Sequence, residues 1–327
     1  AFVEEVGFCF FWPIKGVELP NLFHAIAGRV RPVPMEHADP DISKCWGWKD
    51  ESLDKKRWYY GKLLRRRATL VSLELLPHFY ALSENYGSLG DYLQEYADGM
   101  MTAEAKAIYE ALLEHGPLDT VRLRREAHMA AEGTKSRFER ALVELQVGLK
   151  VLPIGVAEAG AWRYAFVYEL VQRHYPDLPL QAREIPRSEA RRTLIARYLE
   201  CVAVADRKMI ERVFHVLRWT KREVDGTLDA LVSEGAVHTF ARNYGAARVM
   251  LERAVAIDPN AAWAISRLGW LEVYSDRPDE ARALFERALR LSPLDPTNFN
   301  NYVGLASASQ VAGDWDGAAD LFLRALE

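Results

Sequence analysis

The chain has 327 residues, half of them apolar, which is enough for two or three domains that each bury a core. A net charge of −4 does not by itself point to a nucleic-acid binder, but residues 120–222 hold 20 Lys and Arg against 12 Asp and Glu, whereas residues 241–327 hold 9 against 12. Cys9, Cys45 and Cys201 lie far apart without metal-ligand spacing, and neither a signal peptide nor a long apolar span is evident, so a reduced, cytoplasmic protein is expected.

Residues 1–100 carry the least regular pattern. The chain begins at Ala1 with Phe2 already inside a helix-like pattern, so it is expected to lack its natural start. Aromatic residues crowd Phe8–Trp12, and Pro13 follows. Residues 31–50, Pro-rich and carrying Trp46 and Trp48, predict a loop. Residues 55–70 mix cations with rings, as nucleic-acid surfaces do, and read as a basic helical segment. Three adjacent arginines on one helix, Arg65, Arg66 and Arg67, cannot all face the same groove. Some of them are therefore surface charge.

From residue 101 the pattern sharpens. A helix over Thr102–His115 is punctuated by Gly116-Pro117. A short basic helix follows near Val121–Met129, then a third from Thr134 to about Val147. Two strands, 149–154 and 162–167, are joined by a turn at Ala159-Gly160. That order is a winged helix-turn-helix, in which the third helix and the wing can both meet a duplex. A second, weaker copy follows. Helices are predicted over Ser188–Glu200 and Ala205–Leu217, and Thr220-x-x-Glu223 opens a third that stops at Gly235. Residues 236–240 then read as the start of a strand whose wing is truncated.

Residues 241–327 repeat. Pro259 and Pro293, Ala247 and Ala281, and Ala254 and Ala288 are each 34 apart (293 − 259, 281 − 247 and 288 − 254). This period resembles tetratricopeptide repeats and predicts an α-solenoid. The fold class expected is thus mainly α with small β wings. Its divisions are an irregular N-terminal region at 1–100, winged helices at 101–180 and 181–240, and repeats at 241–327.

On the first third helix, Phe138, Ala141, Leu142 and Leu145 recur at helical spacing and form the buried face. Lys135, Ser136, Arg137 and Arg140 point away, and Lys150, Trp162 and Arg163 flank the wing. With Lys62, Arg65 and Arg66 these are the expected DNA contacts, through phosphates and base edges. On the second third helix Asp225 and Asp229 would repel phosphate, so that copy is expected to be scaffolding. No metal site, cofactor loop or catalytic constellation is evident among the scattered histidines.

The order Gly116-Pro117-Leu118, Tyr168-Glu169-Leu170, Arg173-His174-Tyr175-Pro176 and Ala190-Arg191-Arg192 resembles the winged-helix DNA glycosylase family related to AlkZ and YcaQ, over most of residues 1–240. The resemblance implies tandem winged helices forming a concave duplex-binding surface, in a family that unhooks alkylated or crosslinked bases. It also implies a Gln-x-Gln or Gln-x-Asp catalytic pair, and Phe10 and Trp12 stand at those positions here. Neither ring can activate a water. The leading expectation is a catalytically diverged DNA-binding protein with a partner-binding tail. Two alternatives stay open. One is an active glycosylase using Glu36, His37 or Asp41, and the other is a protein scaffold without DNA affinity.

Overall fold

The structure, a computed structural model, describes residues 2–35, 38–83, 85, 87–160, 163–202, 207–240, 244–295 and 298–326. For residues 229, 232–240, 244, 246, 250, 253, 254 and 257 it describes the backbone alone. The chain divides into two compact units, residues 1–227 and 228–327.

In the first unit, helix α1 (Phe2–Val6) ends at Gly7, whose φ of +78° turns the chain into strand β1 (Phe8–Phe10). A Cβ at Gly7 would lie 2.5 Å from Leu75, so both the backbone angle and the space require glycine. Helix α2 (Leu22–Ala27) is capped by the Asn21 side chain, which accepts the His24 N–H. Helix α3 (Pro40–Asp50) stands where a loop is predicted. Its start is fixed by Asp39, whose carboxylate accepts the N–H groups of Asp41 and Ile42, and Pro40 opens the first turn. The Pro that reads as a breaker is here a helix starter.

The basic segment is a hairpin, not a helix. Strands β2 (Trp58–Lys62) and β3 (Ala68–Ser72) pair antiparallel with Lys62 opposite Ala68, and β3 also pairs with β1 in a sheet ordered β1-β3-β2. Tyr59, Tyr60, Thr69 and Val71 are residues that suit a pleated, half-buried surface. Leu63 and Leu64 are fully buried and hold the turn against the core.

Helices α4 (Leu76–Leu82) and α5 (Asp91–Ala97) lead into the next module. There α6 (Ala103–His115), β4 (Leu118–Asp119), α7 (Thr120–Glu126), α8 (Lys135–Val147), β5 (Val151–Ala157) and β6 (Ala165–Leu170) follow one another. The second sheet is antiparallel in the order β4-β6-β5. Two residues are too few to give β4 a periodic signal, and it is the one strand of this module not predicted. Phe138, Ala141, Leu142 and Leu145 pack with Ile108, Tyr109, Leu112, Leu123 and Leu170 in one core, as their spacing requires. Helices α9 (Val171–His174), α10 (Leu178–Arg183), α11 (Arg187–Val202) and α12 (Arg207–Phe214) complete most of the unit. Helix α13 (Lys221–Phe240) opens with the predicted capping box: Glu223 accepts the Thr220 N–H, and Thr220 Oγ accepts the Glu223 N–H. Gly235 does not stop it, and residues 236–240 are helical rather than a strand. One glycine costs a helix only about 1 kcal/mol.

A buried cation ties α3 to the second sheet. The Lys49 side chain is fully covered, and its Nζ donates to Tyr164 Oη at 2.7 Å and pairs with Asp50 at 2.7 Å. The rings of Trp46 and Phe166 lie 4.2 and 4.3 Å from it, so the ammonium is also held by aromatic faces.

The second unit stacks helices α14 (Tyr244–Ile257), α15 (Ala262–Tyr274), α16 (Pro278–Leu291), α17 (Phe299–Val311) and α18 (Trp315–Arg324), each against the next. Fully buried Phe285 on α16 sits against Gly269 on α15 and Gly304 on α17, where any Cβ would collide with its ring. Buried Glu272 on α15 pairs with Arg248 on α14 at 2.5 Å and with Arg277 at 2.6 Å. Among the described residues no helix is long and apolar enough to cross a membrane.

Burial lowers Lys49 from an ordinary lysine value of 10.5 to about 8, against the opposing pull of Asp50. Between those values the unfolded chain still holds the proton and the folded chain has lost it, so stability rises with pH through this window. Urea unfolding of wild type and Lys49→Met from pH 8 to about pH 9.5 is expected to show that rise in wild type and its loss in the variant. Equal pH slopes would contradict the buried-cation account.

Candidate nucleic-acid interface

The tip of the β2–β3 hairpin is strained. Arg65 and Arg66, at φ +53° and +57°, are consecutive non-glycine residues in the left-handed region. Each such residue costs roughly 1 kcal/mol or more because its Cβ crowds the carbonyl. The conformation is over-determined from beneath. The buried Leu63 and Leu64 side chains point inward, and Thr69 Oγ1 accepts the Leu64 N–H at 3.1 Å and donates to Arg67 O at 2.8 Å. Arg65 donates to the backbone carbonyl of Arg212 on α12 at 2.8 Å. The result is three exposed arginines at one turn.

One residue, Gln146, hydrogen-bonds helix α8 to the strand that leads into this turn. β2 is an edge strand, and its outward Lys62 N–H is donated to Gln146 Oε1 at 2.9 Å. Gln146, 2 % exposed, in turn donates to Leu142 O at 3.2 Å within α8, and its carbonyl accepts from Tyr59 Oη at 3.5 Å. The strand edge and the helix are thereby held in one register.

Hairpin tip and α8 flank an open cleft of about 1040 Å³. Lys62, Arg65, Arg66 and Arg67 line one side, and Ser136, Arg137, Arg140 and Val143 of α8 another. Met100–Thr102, Arg187 and the 216–218 turn complete the walls. Nine Lys and Arg line the cleft against Glu95, Glu104, Glu139 and Glu144. The carboxylates are largely engaged. Glu104 faces Arg137 at 3.4 Å, Glu95 pairs with Lys150 at 2.7 Å, and Glu144 accepts the N–H and hydroxyl of Thr102. Among the described residues, Lys62, Arg66, Arg67, Arg140, Arg187 and Arg218 have no ion-pair partner. The cleft is therefore electropositive.

Seven of the sequence-predicted contacts thus meet around one space: Lys62, Arg65, Arg66, Ser136, Arg137, Arg140 and Lys150. Lys150 needs correction as a wing residue open to phosphate. It is 8 % exposed, and its ammonium is neutralised by Glu95. Lys135 is exposed near Glu139 at 4.0 Å, outside the cleft lining. Arg163, at the β5–β6 loop, pairs with Glu158 at 2.5 Å and is also outside it. Trp162 lies outside the described residues, as do Glu36 and His37. Asp41, considered as an acid–base group, is bound to Arg31 at 2.5 Å beside Asp39. Phe10 is 1 % exposed in β1, and Trp12 packs on Phe11, Phe23 and Trp46. Sequence reasoning missed Arg187 and Arg218, lone cations without a pattern, and Gln146, which looks like any polar helix residue.

The arrangement defines a mainly helical protein with two small antiparallel sheets, a cationic cleft and a following stack of helices. Residues 1–215 match the family described as AlkZ related, and the chain belongs to that family. Residues 241–296 match a tetratricopeptide repeat, in keeping with the helical stack. Among curated proteins and solved structures no match is found.

If the tip is strained as described, Arg66→Gly should raise stability by roughly 0.5–1 kcal/mol, since glycine takes the left-handed region freely. Chemical unfolding measures this. An unchanged or lowered midpoint would contradict the strain.

Proposed function

We propose that this protein binds double-stranded DNA in the cleft and is a catalytically diverged relative of DNA-repair glycosylases. In this reading α6 to β6 act as a winged helix with α8 along the major groove, and α11 to α13 form a scaffolding copy without a wing. The observation that carries it is the convergence of two basic segments, about 70 residues apart in sequence, on one space whose cations mostly lack partners. Cations that line one space without ion pairs suit a polyanion, because each released counterion adds entropy that the protein itself does not lose. Membership of the AlkZ-related family supports a DNA substrate. The repeat unit is read as the seat of a protein partner.

Catalytic divergence is inferred from Phe10 and Trp12, which stand where the glycosylase resemblance expects two polar residues. One ring is buried in a strand and the other belongs to an aromatic cluster. A carbon ring offers no acceptor for a water proton. Family membership itself favours a second reading, an active glycosylase whose acid and base lie elsewhere.

Fluorescence anisotropy of the full chain on a labelled duplex across a salt series tests the reading. With about five phosphates neutralised, log K is expected to fall with log salt at a slope near −4 to −5. Arg140→Ala should weaken binding and flatten the slope by about one without unfolding the protein. Unchanged affinity and slope in that variant would overturn the placement on α8. An abasic product from a duplex bearing an alkylated purine would establish the second reading instead. Capture of a protein with no duplex affinity at low salt would leave a scaffold.

A further inference from the structure

Charge alone does not explain the hairpin tip. A phosphate contact needs only a mobile cation, yet Arg66 occupies strained left-handed backbone directly after another residue in the same state. The strain is maintained by buried Leu63 and Leu64 below and by Arg65 anchored on the Arg212 carbonyl. Within that frame Arg66 is exposed, projects from the apex of a narrow two-stranded turn, and has no ion-pair partner among the described residues. This is a slender cationic turn on a fixed backbone, placed beside a helix in the same cleft.

We propose that Arg66 enters the DNA minor groove next to the stretch whose major groove α8 occupies, and so makes the protein sensitive to minor-groove shape. The proposal rests on duplex binding in the cleft. The minor groove is only about 6 Å wide, too narrow for a helix but open to a guanidinium at the end of a turn. Where it is narrowest its negative potential is strongest, and arginine is the cation that gains most there, being weakly hydrated and planar. Guanine places its 2-amino group in that groove, which widens it and obstructs a guanidinium, so the hairpin should favour A·T over G·C. Selectivity of this kind needs the cation held at a fixed height and angle. Two left-handed residues locked from beneath fix the backbone from which the guanidinium extends, and a flexible loop would not.

The test uses the full chain and three duplexes alike except for a central block of A·T, inosine·cytosine or G·C pairs. Inosine·cytosine presents the minor groove of A·T, because inosine lacks the 2-amino group, with the major groove of G·C. The expected result is equal affinity for A·T and inosine·cytosine, each at least about fivefold above G·C, near the lower bound for discrimination of a base contact. Arg66→Gln should bring the three together, and Arg66→Lys should keep most of the affinity while losing the preference. Arg140→Ala should weaken all three by one factor. A preference in which inosine·cytosine behaves like G·C would show reading from the major groove and overturn the proposal. Equal, salt-sensitive binding of all three by wild type would also overturn it and leave duplex binding standing. No salt-sensitive binding to any of them would remove the duplex reading, and groove entry with it.

Discussion

The cleft depends on one hydrogen bond between a strand edge and a helix. The Lys62 N–H at the open edge of the first sheet has no strand partner, and Gln146 supplies its acceptor; a bond of this kind contributes about 0.5–1.5 kcal/mol. Because Gln146 also bonds its own helix at Leu142, its side chain is held in place to receive the hairpin. The same residue's backbone carbonyl accepts from Tyr59, three residues earlier in β2, so sliding the hairpin along α8 would break both bonds. Lys49 makes a second link between the N-terminal elements and the later module, through Tyr164, the residue just before β6. The two ties bring cations distant in sequence to a common space.

Charge and strain coincide in the first unit. Several of its ionic groups are matched, such as Arg31 with Asp39 and Asp41, Arg191 with Glu223, and Arg207 with Asp225. Two of the unmatched arginines, Arg66 in the hairpin and Arg218 in the turn after α12, sit on left-handed backbone. A cluster of cations without ion-pair partners, two of them on backbone that costs energy to maintain, is a feature shaped by something other than stability. A polyanion supplies the missing partners.

How much of this could be read from the chain varies by element. Helix α8 was legible because its four buried residues repeat at helical spacing and nothing nearby competes with that signal. The repeat unit was legible from a fixed period, and its physical basis is visible in Gly269 and Gly304, which leave room for Phe285. The hairpin was misread because Leu63-Leu64-Arg65-Arg66-Arg67 has strong helix propensity, and only pairing with β3 overrides it. Asp39-Pro40 carried a helix-start signal that the surrounding prolines obscured. Lys150 could not have been assigned from local pattern, since Glu95 lies 55 residues away. Of the cleft, then, the sequence showed the individual cations and concealed the contacts that assemble them.

The central claim is that the hairpin tip and α8 meet the same stretch of duplex. With half-buried Cys201 first replaced by Ser and Cys9 and Cys45 buried, Arg67→Cys and Glu139→Cys each place one accessible thiol at a wall, and an iron chelate tethered there cuts nearby DNA. The account predicts cuts from both positions within about one helical turn (~10 base pairs) of each other. Cutting from one position only, or cuts several turns apart, would contradict it.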